Sequence, residues 1–408
     1  MILDIINKKR LGEELNYKEL DTIFNGYLNG DVPDYQMSSL LMAICINGMT
    51  DEEIFSLTKI FIDSGDVLDF SNVPGVKVDK HSTGGIGDKT TLVIVPIVAS
   101  LGIPFIKMSG RGLGYTGGTL DKLESIPGYR LDLSDQEILK QVSKIGTVIT
   151  GQTAHLVPMD KAVYALRDVT ATVSSIPLIA SSIMSKKIAS GADKILIDIK
   201  VGNGALIQTK KDAEKLSDLM IKIGKFYNRE VRTIISDMNV PLGRCIGNSL
   251  EVLEAMDVLK GIEKDSNLVR LCKELATELV SMGLSISKEE ASLKVQESID
   301  NGSAYQKFLE LVEYQKGDIH KIKVSNETYD LKAYQSGTIE TINALELGKI
   351  SLLLGAGKEN MDDKIDYRVG VKIHKLVGDV VKKGDVLATL YFHKKVPDID
   401  LKKIFTIL

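Results

Sequence analysis

Two glycine-rich loops, each following a short apolar run, constrain the fold of this chain more than any other feature of its sequence. The first loop, Lys80–Thr91, follows the predicted strand Val76–Asp79 and precedes the apolar run Leu92–Ile106. The second loop, Ser109–Glu124, follows the predicted strand Ile103–Met108. A strand, a glycine loop, a helix and a further strand are typical of a β-α-β unit. We therefore expect both loops at the carboxyl ends of strands in one mostly parallel sheet.

The N-terminal part of the chain reads as a series of helices. Asn16 and Thr50 each stand three residues before a glutamate, which is the spacing of a capping box. Gly48 and Gly65 lie where the end of a helix favours a residue that tolerates positive φ. Residues 38–46 are apolar on most sides, which predicts a helix central to a bundle. A small all-helical lobe is therefore expected first.

The rest of the chain predicts the α/β class, with a larger mixed α/β lobe and a β-rich C-terminal α+β domain. Lys194–Lys200 reads as an interior strand, and Pro177–Ala189 as a helix that returns to the helical lobe. Gly337–Ile342 and Val386–Leu390 alternate as strands do. We expect the helical lobe at about residues 1–66 and 160–192, the α/β domain at about 75–155 and 193–325, and the C-terminal domain at about 330–408.

Composition excludes several classes of function. The 51 Lys and Arg against 55 Asp and Glu give a formal charge of −4, so no overall basic field favours nucleic acid. Cys45, Cys245 and Cys272 lie too far apart for a disulfide framework or a zinc knuckle. The N-terminus lacks a basic region leading into an apolar run, and no apolar run reaches the roughly 20 residues of a membrane span. We expect a cytoplasmic protein with small-molecule partners and neither nucleic-acid nor membrane partners.

The first loop has the features of an anion site. Its glycines let the backbone approach a ligand, and the start of the following helix favours negative charge. Lys80, Ser82 and Thr91 add an ammonium and two hydroxyls. The Walker A pattern fails, because it would need glycine at Asp88, whose carboxylate repels phosphate. A turn without a ligand remains the alternative.

The second loop is denser in glycine than a tight turn requires. Gly112, Gly114 and Gly117 satisfy G-x-G-x-x-G after a strand, which alone is a weak dinucleotide signal. The two loops together place a phosphate-sized site between them, with Ser109 and Thr119 facing it. Inorganic phosphate or a phosphate ester is therefore favoured over NAD.

A third set of residues suits a planar group with carbonyl oxygens. If their segments are helical, Tyr164 and Arg167 share a face at i, i+3, and Ser182 and Lys186 share one at i, i+4. They supply a ring, a fork of donors, a hydroxyl and an ammonium. Solvated helix faces remain the alternative reading.

These motifs together resemble a known enzyme family. The run Lys107–Glu124 closely resembles the signature of the thymidine and pyrimidine-nucleoside phosphorylases. Lys80–Gly85, Tyr164–Asp168 and Ser181–Lys187 also match, and the likeness extends to Gly378–Asp385. The resemblance implies a homodimer whose subunits have a helical lobe hinged to an α/β lobe, with the active site in the cleft. Phosphate would displace the base of uridine, thymidine or deoxyuridine at C1′ with inversion, giving the free pyrimidine and (deoxy)ribose 1-phosphate.

The resemblance also assigns site residues. It implies that phosphate is bound by Lys80, His81, Ser82, Thr91, Lys107, Met108, Ser109 and Thr119. It implies that the base is bound by Tyr164, Arg167, Ser182 and Lys186. Negative charge develops on the departing base, so Arg167 and Lys186 would act as catalytic residues. His81 would donate a proton or a hydrogen bond to the base carbonyl.

Three positions depart from the family pattern or vary within it. Tyr115 stands where relatives usually have His. Lys107 is typical of the broad-specificity enzymes and would reach the sugar 2′-hydroxyl through water, whereas thymidine-specific relatives tend to have Met. No cofactor is required for the chemistry, but relatives carry a structural potassium ion. The positions that match this ion site are Gly87, Lys89, Leu242, Cys245 and Glu254. Lys89 stands where relatives usually have Thr, and its ammonium either repels the ion or takes its place.

Two other classes of protein also resemble parts of this chain. Anthranilate phosphoribosyltransferase resembles the chain in its helical start and glycine loop, but it would need a Gly-Thr-Gly-Gly-Asp loop and further acids for magnesium. Val377–Asp385 resembles the turn of biotinyl and lipoyl carriers, but no modifiable Lys stands there in the required setting. The presence of Tyr164 and Arg167 also argues against the phosphoribosyltransferase.

Overall fold

The computed structural model describes residues 2–112, 114–115, 117–153, 155–358 and 363–408. Leu113 and Thr116 of the second glycine loop therefore lie outside the described residues. Within them the helices are α1 (Ile2–Arg10), α2 (Tyr17–Leu28), α3 (Asp34–Asn47), α4 (Asp51–Asp63), α5 (Thr90–Ser100), α6 (Thr119–Glu124), α7 (Asp135–Ile145), α8 (Pro158–Asp168), α9 (Ile176–Ala189), α10 (Lys210–Phe226), α11 (Asn248–Leu259), α12 (Asn267–Leu284), α13 (Lys288–Asp300), α14 (Ser303–Tyr314), α15 (Ala344–Leu354) and α16 (Leu401–Ile404).

The strands of the described residues form three sheets. They are β1 (Val78–Ser82), β2 (Phe105–Ser109), β3 (Thr147–Gly151), β4 (Lys194–Val201), β5 (Glu230–Asp237), β6 (Cys245–Ile246), β7 (Glu327–Lys332), β8 (Gly337–Ile342), β9 (Gly370–Ile373), β10 (Val380–Val381), β11 (Val386–Phe392) and β12 (Phe405–Ile407). A five-stranded sheet has the order β3-β2-β1-β4-β5, and β2 runs parallel to both β1 and β3. The C-terminal strands form antiparallel sheets of order β6-β9-β11-β7 and β10-β8-β12. The predicted architecture of helical, α/β and β-rich parts is confirmed.

The chain divides into two compact units. Unit 1 comprises Met1–Asn72, Thr153–Ile197 and Lys210–Thr233. Unit 2 comprises Val73–Gln152, Asp198–Thr209 and Ile234–Leu408, and therefore includes the C-terminal sheets. The finer domain boundaries given by the sequence stay a prediction.

The predicted helix caps are confirmed, but Gly65 has a different role from the one expected. Asn16 and Thr50 both form capping boxes, and Gly48 ends α3 with a φ of 72°. Gly65 is not among the residues with positive φ. A Cβ there would lie 2.1 Å from the carbonyl oxygen of His155, so close backbone contact explains this glycine.

Two other expectations about single elements are corrected. β1 begins at Val78 rather than Val76 and extends to Ser82, so part of the first predicted loop is strand. Helix α3 is not buried on every side, because Met42 is 39% and Ile46 is 76% exposed. The apolar run after the first loop forms α5, which is buried up to Ala99, as expected. Within the described residues, none of the helices has the length and hydrophobicity that a membrane-spanning segment requires.

Candidate active site

Ser82 and Ser109 end the neighbouring parallel strands β1 and β2 of unit 2. Val78 lies opposite Phe105, so the two strands run in step and end at the same edge of the sheet. Thr91 is buried in the first turn of α5, and Thr119 is the first residue of α6. The predicted phosphate residues therefore all lie on β1, on β2 or in the first turns of α5 and α6, within one unit: Lys80, His81, Ser82, Thr91, Lys107, Met108, Ser109 and Thr119.

The strand register divides this set between the two faces of the sheet. Residues two apart in a strand point to the same face, and residues opposite one another in neighbouring strands share it. Lys80 and Ser82 therefore share a face with Lys107 and Ser109. His81 and Met108 belong to the opposite face. Lys107 is buried, and its ammonium donates to the Met108 carbonyl at 3.1 Å.

Lys80 is held in a buried polar network. It is only 1% exposed, and its Nζ donates to Thr90 Oγ1 at 2.6 Å and lies 3.2 Å from Asp198 Oδ2. Asp198 also accepts hydrogen bonds of 2.6 Å from Lys200 Nζ and from Ser236 Oγ. Buried charges are tolerated when they are paired and hydrogen-bonded. This network, which we call the Lys80 cluster, fixes the ammonium beneath the first glycine loop.

Asp88, the residue that argues against a nucleotide loop, holds the Ser82 side chain. Its carboxylate accepts hydrogen bonds from the Ser82 hydroxyl and from Thr90 Oγ1, the latter at 2.6 Å. Burial raises the pKa of Asp88, but the charges of Lys80 and Lys200 and these hydrogen bonds outweigh it and keep the pKa well below its usual range. Asp88 is therefore ionised at neutral pH and positions Ser82.

The second glycine loop is anchored by the residues that follow it. Asp121 Oδ2 accepts from the backbone N–H groups of Gly112 at 2.6 Å and Gly118 at 3.2 Å. Lys122 Nζ donates to the Gly117 carbonyl at 2.6 Å. A Cβ on Gly118 would lie 2.1 Å from the Gly112 nitrogen, so only glycine fits. These contacts hold Gly112, Gly117 and Gly118 of the loop in place.

The residues predicted to bind a base lie together in unit 1, on α8 and α9. The Tyr164 ring has Arg167 Cζ 5.7 Å and Lys186 Nζ 5.8 Å from its centroid. Lys186 Nζ donates to Ser182 Oγ at 2.9 Å, and the helix α9 confirms that the two residues share a face at i, i+4. It also donates to Asp160 Oδ2 at 2.6 Å. The four predicted residues therefore form one cluster of a ring, two cations and a hydroxyl.

Arg167 is more deeply embedded than its predicted role requires. It is 1% exposed, and it donates to three backbone carbonyls of residues 172–178 at 2.8 to 3.3 Å. Burial lowers the pKa of this guanidinium, whereas Asp160 and Tyr164 oppose the effect. Three of its five N–H groups are used in this way. Contact between Arg167 and a base stays a prediction that rests on the remaining donors.

The five residues that match the family's cation site are brought together in unit 2. Lys89 is buried, and its Nζ donates to the carbonyls of Leu242 at 3.0 Å and Cys245 at 2.7 Å, and to Glu254 Oε2 at 2.5 Å. A Cβ on Gly87 would lie 2.6 Å from the Leu242 oxygen, so Gly87 packs against the same group. Burial raises the pKa of the Cys245 thiol to about 12, so it is protonated at neutral pH.

The sequence analysis missed several members of the Lys80 cluster and of the cluster around Tyr164. Asp160 precedes Tyr164 by four residues on α8, and this spacing signals a shared helix face. Asp198 and Lys200 interrupt an apolar run predicted as an interior strand, and charged residues in such a strand signal a buried polar network. Ser236 gives no such signal, because a single serine is common on any strand.

Comparison with known sequences gives the family. The profile described as the glycosyl transferase family helical bundle domain matches residues 3–65, and that of its a/b domain matches residues 75–305. The profile described as the pyrimidine nucleoside phosphorylase C-terminal domain matches residues 338–404. Among solved structures, anthranilate phosphoribosyltransferase from Thermus thermophilus matches with a TM-score of 0.62 at 17% identity, over 77% of this chain and 100% of that one. At this identity the likeness shows the fold alone.

Curated relatives match over almost the full chain. The pyrimidine-nucleoside phosphorylase of Staphylococcus haemolyticus is 48% identical over 410 residues, covering 99% of this chain and 94% of the relative. Those of Bacillus subtilis and Geobacillus stearothermophilus are each 46% identical over 411 residues, covering 99% of this chain and 95% of the relative. The chain therefore belongs to the pyrimidine-nucleoside phosphorylase family.

Proposed function

We propose that this chain catalyses the phosphorolysis of uridine, thymidine and deoxyuridine by inorganic phosphate. The observation that carries the proposal is the shared sheet face of Lys80, Ser82, Lys107 and Ser109 on the adjacent parallel strands β1 and β2. The ammonium groups of Lys80 and Lys107 and the hydroxyl of Ser109 would bind the phosphate, and Lys80 Nζ contacts Thr90 in the first turn of α5.

The cluster around Tyr164 supports a pyrimidine as the leaving group. Phosphate oxygen would attack C1′ as the bond between C1′ and the base nitrogen breaks, and the bonding electrons would leave with the base. Lys186 and Arg167 would stabilise the resulting negative charge, and Ser182 would donate to a ring carbonyl. His81 is assigned the proton or hydrogen bond to a base carbonyl. No cofactor takes part in these steps.

A broad choice of sugar is part of the proposal. Lys107 is buried, and its ammonium donates to the carbonyl of Met108 beside the strand end. An ammonium here would bind the 2′-hydroxyl of a ribonucleoside through a water molecule. We therefore include both ribose and deoxyribose nucleosides.

The proposal also includes a homodimer that acts in the cytoplasm. Leu3, Tyr35, Met42 and Ile46 are exposed on α1 and α3, and the last three share one face of α3 at i, i+7 and i+11. An exposed apolar face of this kind supports association. The three free cysteines support a reducing compartment.

The test is to follow release of free base from uridine and thymidine with and without inorganic phosphate. We expect release from both nucleosides only when phosphate is present. Release that does not depend on phosphate would instead indicate a hydrolase, and no release from either nucleoside would contradict the proposed reaction.

Ser109→Ala is expected to weaken phosphate saturation first. Loss of one hydrogen bond to a charged ligand costs about 1.5 kcal/mol, so the KM for phosphate should rise roughly tenfold while the KM for nucleoside is unchanged. Steady-state kinetics with either substrate varied measures this. The control is Ser292→Ala, at an exposed position of α13. A phosphate KM equal to that of the control would contradict the assignment of Ser109.

A further inference from the structure

The side-chain ammonium of Lys89 is surrounded as a bound cation would be. Lys89 Nζ meets two backbone carbonyl oxygens, of Leu242 and Cys245, and one carboxylate oxygen, of Glu254, at 2.5 to 3.0 Å. Carbonyl and carboxylate oxygens are the groups that replace the hydration shell of a potassium ion. An ammonium has three donors and no acceptor, so these three oxygens satisfy it completely.

The carboxylate in this set is itself fixed by the backbone. Glu254 Oε1 accepts from the Arg244 N–H at 2.6 Å, and Oε2 accepts from the Cys245 N–H at 2.9 Å. The Leu242 N–H donates to the Ile86 carbonyl at 3.0 Å, which ties the same segment to the first glycine loop. Lys89 therefore joins the loop before α5, the segment 242–245 and helix α11.

This arrangement does not fit an additional metal ion. The oxygens that would bind the ion already accept hydrogen bonds from Lys89, whose side chain is fully buried. A second cation among them would lie against an unscreened ammonium, and like charges repel strongly in a buried site. The charge of Lys89 is balanced by Glu254, whose Oε2 lies 2.5 Å from Nζ.

We propose that the Lys89 ammonium takes the place of a monovalent cation in this chain, so that its stability and activity do not depend on potassium. The covalent tether keeps the charge in its site at any salt composition. The cross-link between the first glycine loop and the segment 242–245 is then a permanent part of the fold.

The first test uses the wild-type protein. Thermal unfolding is measured after dialysis into potassium, rubidium or tetramethylammonium chloride at equal ionic strength, and a crystal is soaked in rubidium. We expect equal Tm values in all three salts and no rubidium peak among the oxygens of Leu242, Cys245 and Glu254. A Tm that rises with potassium or rubidium, or a rubidium peak at these oxygens, would overturn the proposal.

The second test removes the tethered charge. Lys89→Thr should lower the Tm in tetramethylammonium on the order of 5 to 10 °C, because Glu254 loses its buried partner. Potassium should recover much of this loss by binding the folded state, whereas tetramethylammonium is too large to enter the site. The control is Lys382→Thr, at an exposed position. Its Tm should equal that of the wild type both in tetramethylammonium and in potassium.

The outcomes of this second test are distinct. A Lys89→Thr protein as stable as wild type, and insensitive to potassium, would show that the site needs no cation and would overturn the proposal. If Lys89→Thr does not fold in any of the salts, the wild-type measurements test the proposal by themselves, because they require no variant. Unfolding is read without any substrate, so the result is independent of the proposed reaction.

Discussion

Lys186→Ala is expected to lower kcat/KM for phosphorolysis of thymidine roughly a hundredfold, which corresponds to about 3 kcal/mol of lost transition-state stabilisation. The physical reason is charge. As the base departs it carries the bonding electrons, and Lys186 offers an ammonium beside the Tyr164 ring, hydrogen-bonded to Ser182. Steady-state kinetics with thymidine varied at saturating phosphate measures the loss.

A leaving-group comparison separates chemistry from folding in this variant. Lys186→Ala also removes the partner of buried Asp160, so its Tm should be measured alongside. The base of 5-fluorouridine is more acidic than uracil and needs less stabilisation as it departs. The defect of Lys186→Ala should therefore be smaller with 5-fluorouridine than with uridine. The control is Lys161→Ala, at an exposed position of α8. Equal defects with both nucleosides would contradict a role on the departing base.

Lys80→Ala is expected to lower kcat/KM for phosphate by a comparable factor. Its ammonium is buried, and it supplies positive charge beside Asp198 at the face shared by Ser82 and Ser109. Without it the carboxylates of Asp198 and Asp88 outweigh the charge of Lys200, so the site repels an anion. We expect kcat/KM for phosphate to fall on the order of a hundredfold or more, with little change in the KM for nucleoside.

The Lys80 prediction is specific because the KM for phosphate should change and the KM for nucleoside should not. Loss of a buried ion-pair partner also lowers stability, by about 3 kcal/mol or more. A purely structural role would reduce the Tm and the active fraction but leave the phosphate KM unchanged. That result would contradict the assignment of Lys80 to the phosphate site. The matched control is Lys140→Ala, at an exposed position of α7.

Much of the fold could be predicted because local signals agree with the tertiary structure. Asn16 and Thr50 begin helices by chemistry that is complete within one turn. The apolar run after the first loop is too uniformly hydrophobic to be anything but a buried element, and α5 is one. Gly65 shows where such reasoning ends: its neighbour, the His155 carbonyl, is distant in sequence.

Contacts within one helix of the candidate site could be predicted from the sequence, but contacts with supporting residues elsewhere in the chain could not. Spacing indicates that Ser182 and Lys186 meet, because both lie on one helix. It does not indicate that Asp198 meets Lys80, because that contact joins strands that are far apart in the chain. In the sequence Asp88 reads as an obstacle to phosphate, whereas in the structure it accepts the Ser82 hydrogen bond. Residues that orient other residues are invisible to motif reasoning when the contact is long-range.

The Lys89 position shows a different limit. Sequence comparison with the family pattern identifies the replacement of Thr by Lys, but it leaves open whether the ammonium repels an ion or replaces it. The three oxygens around Nζ decide for replacement in our proposal. The geometry was needed because a lysine can reach several places from one backbone position.

Phosphorolysis is tested most directly by phosphorus NMR of uridine incubated with inorganic phosphate and the wild-type protein. We expect a new phosphomonoester resonance of α-ribose 1-phosphate, growing in proportion to free uracil as inorganic phosphate declines. Uracil released together with free ribose, with the phosphate signal unchanged, would contradict phosphorolysis and identify water as the nucleophile.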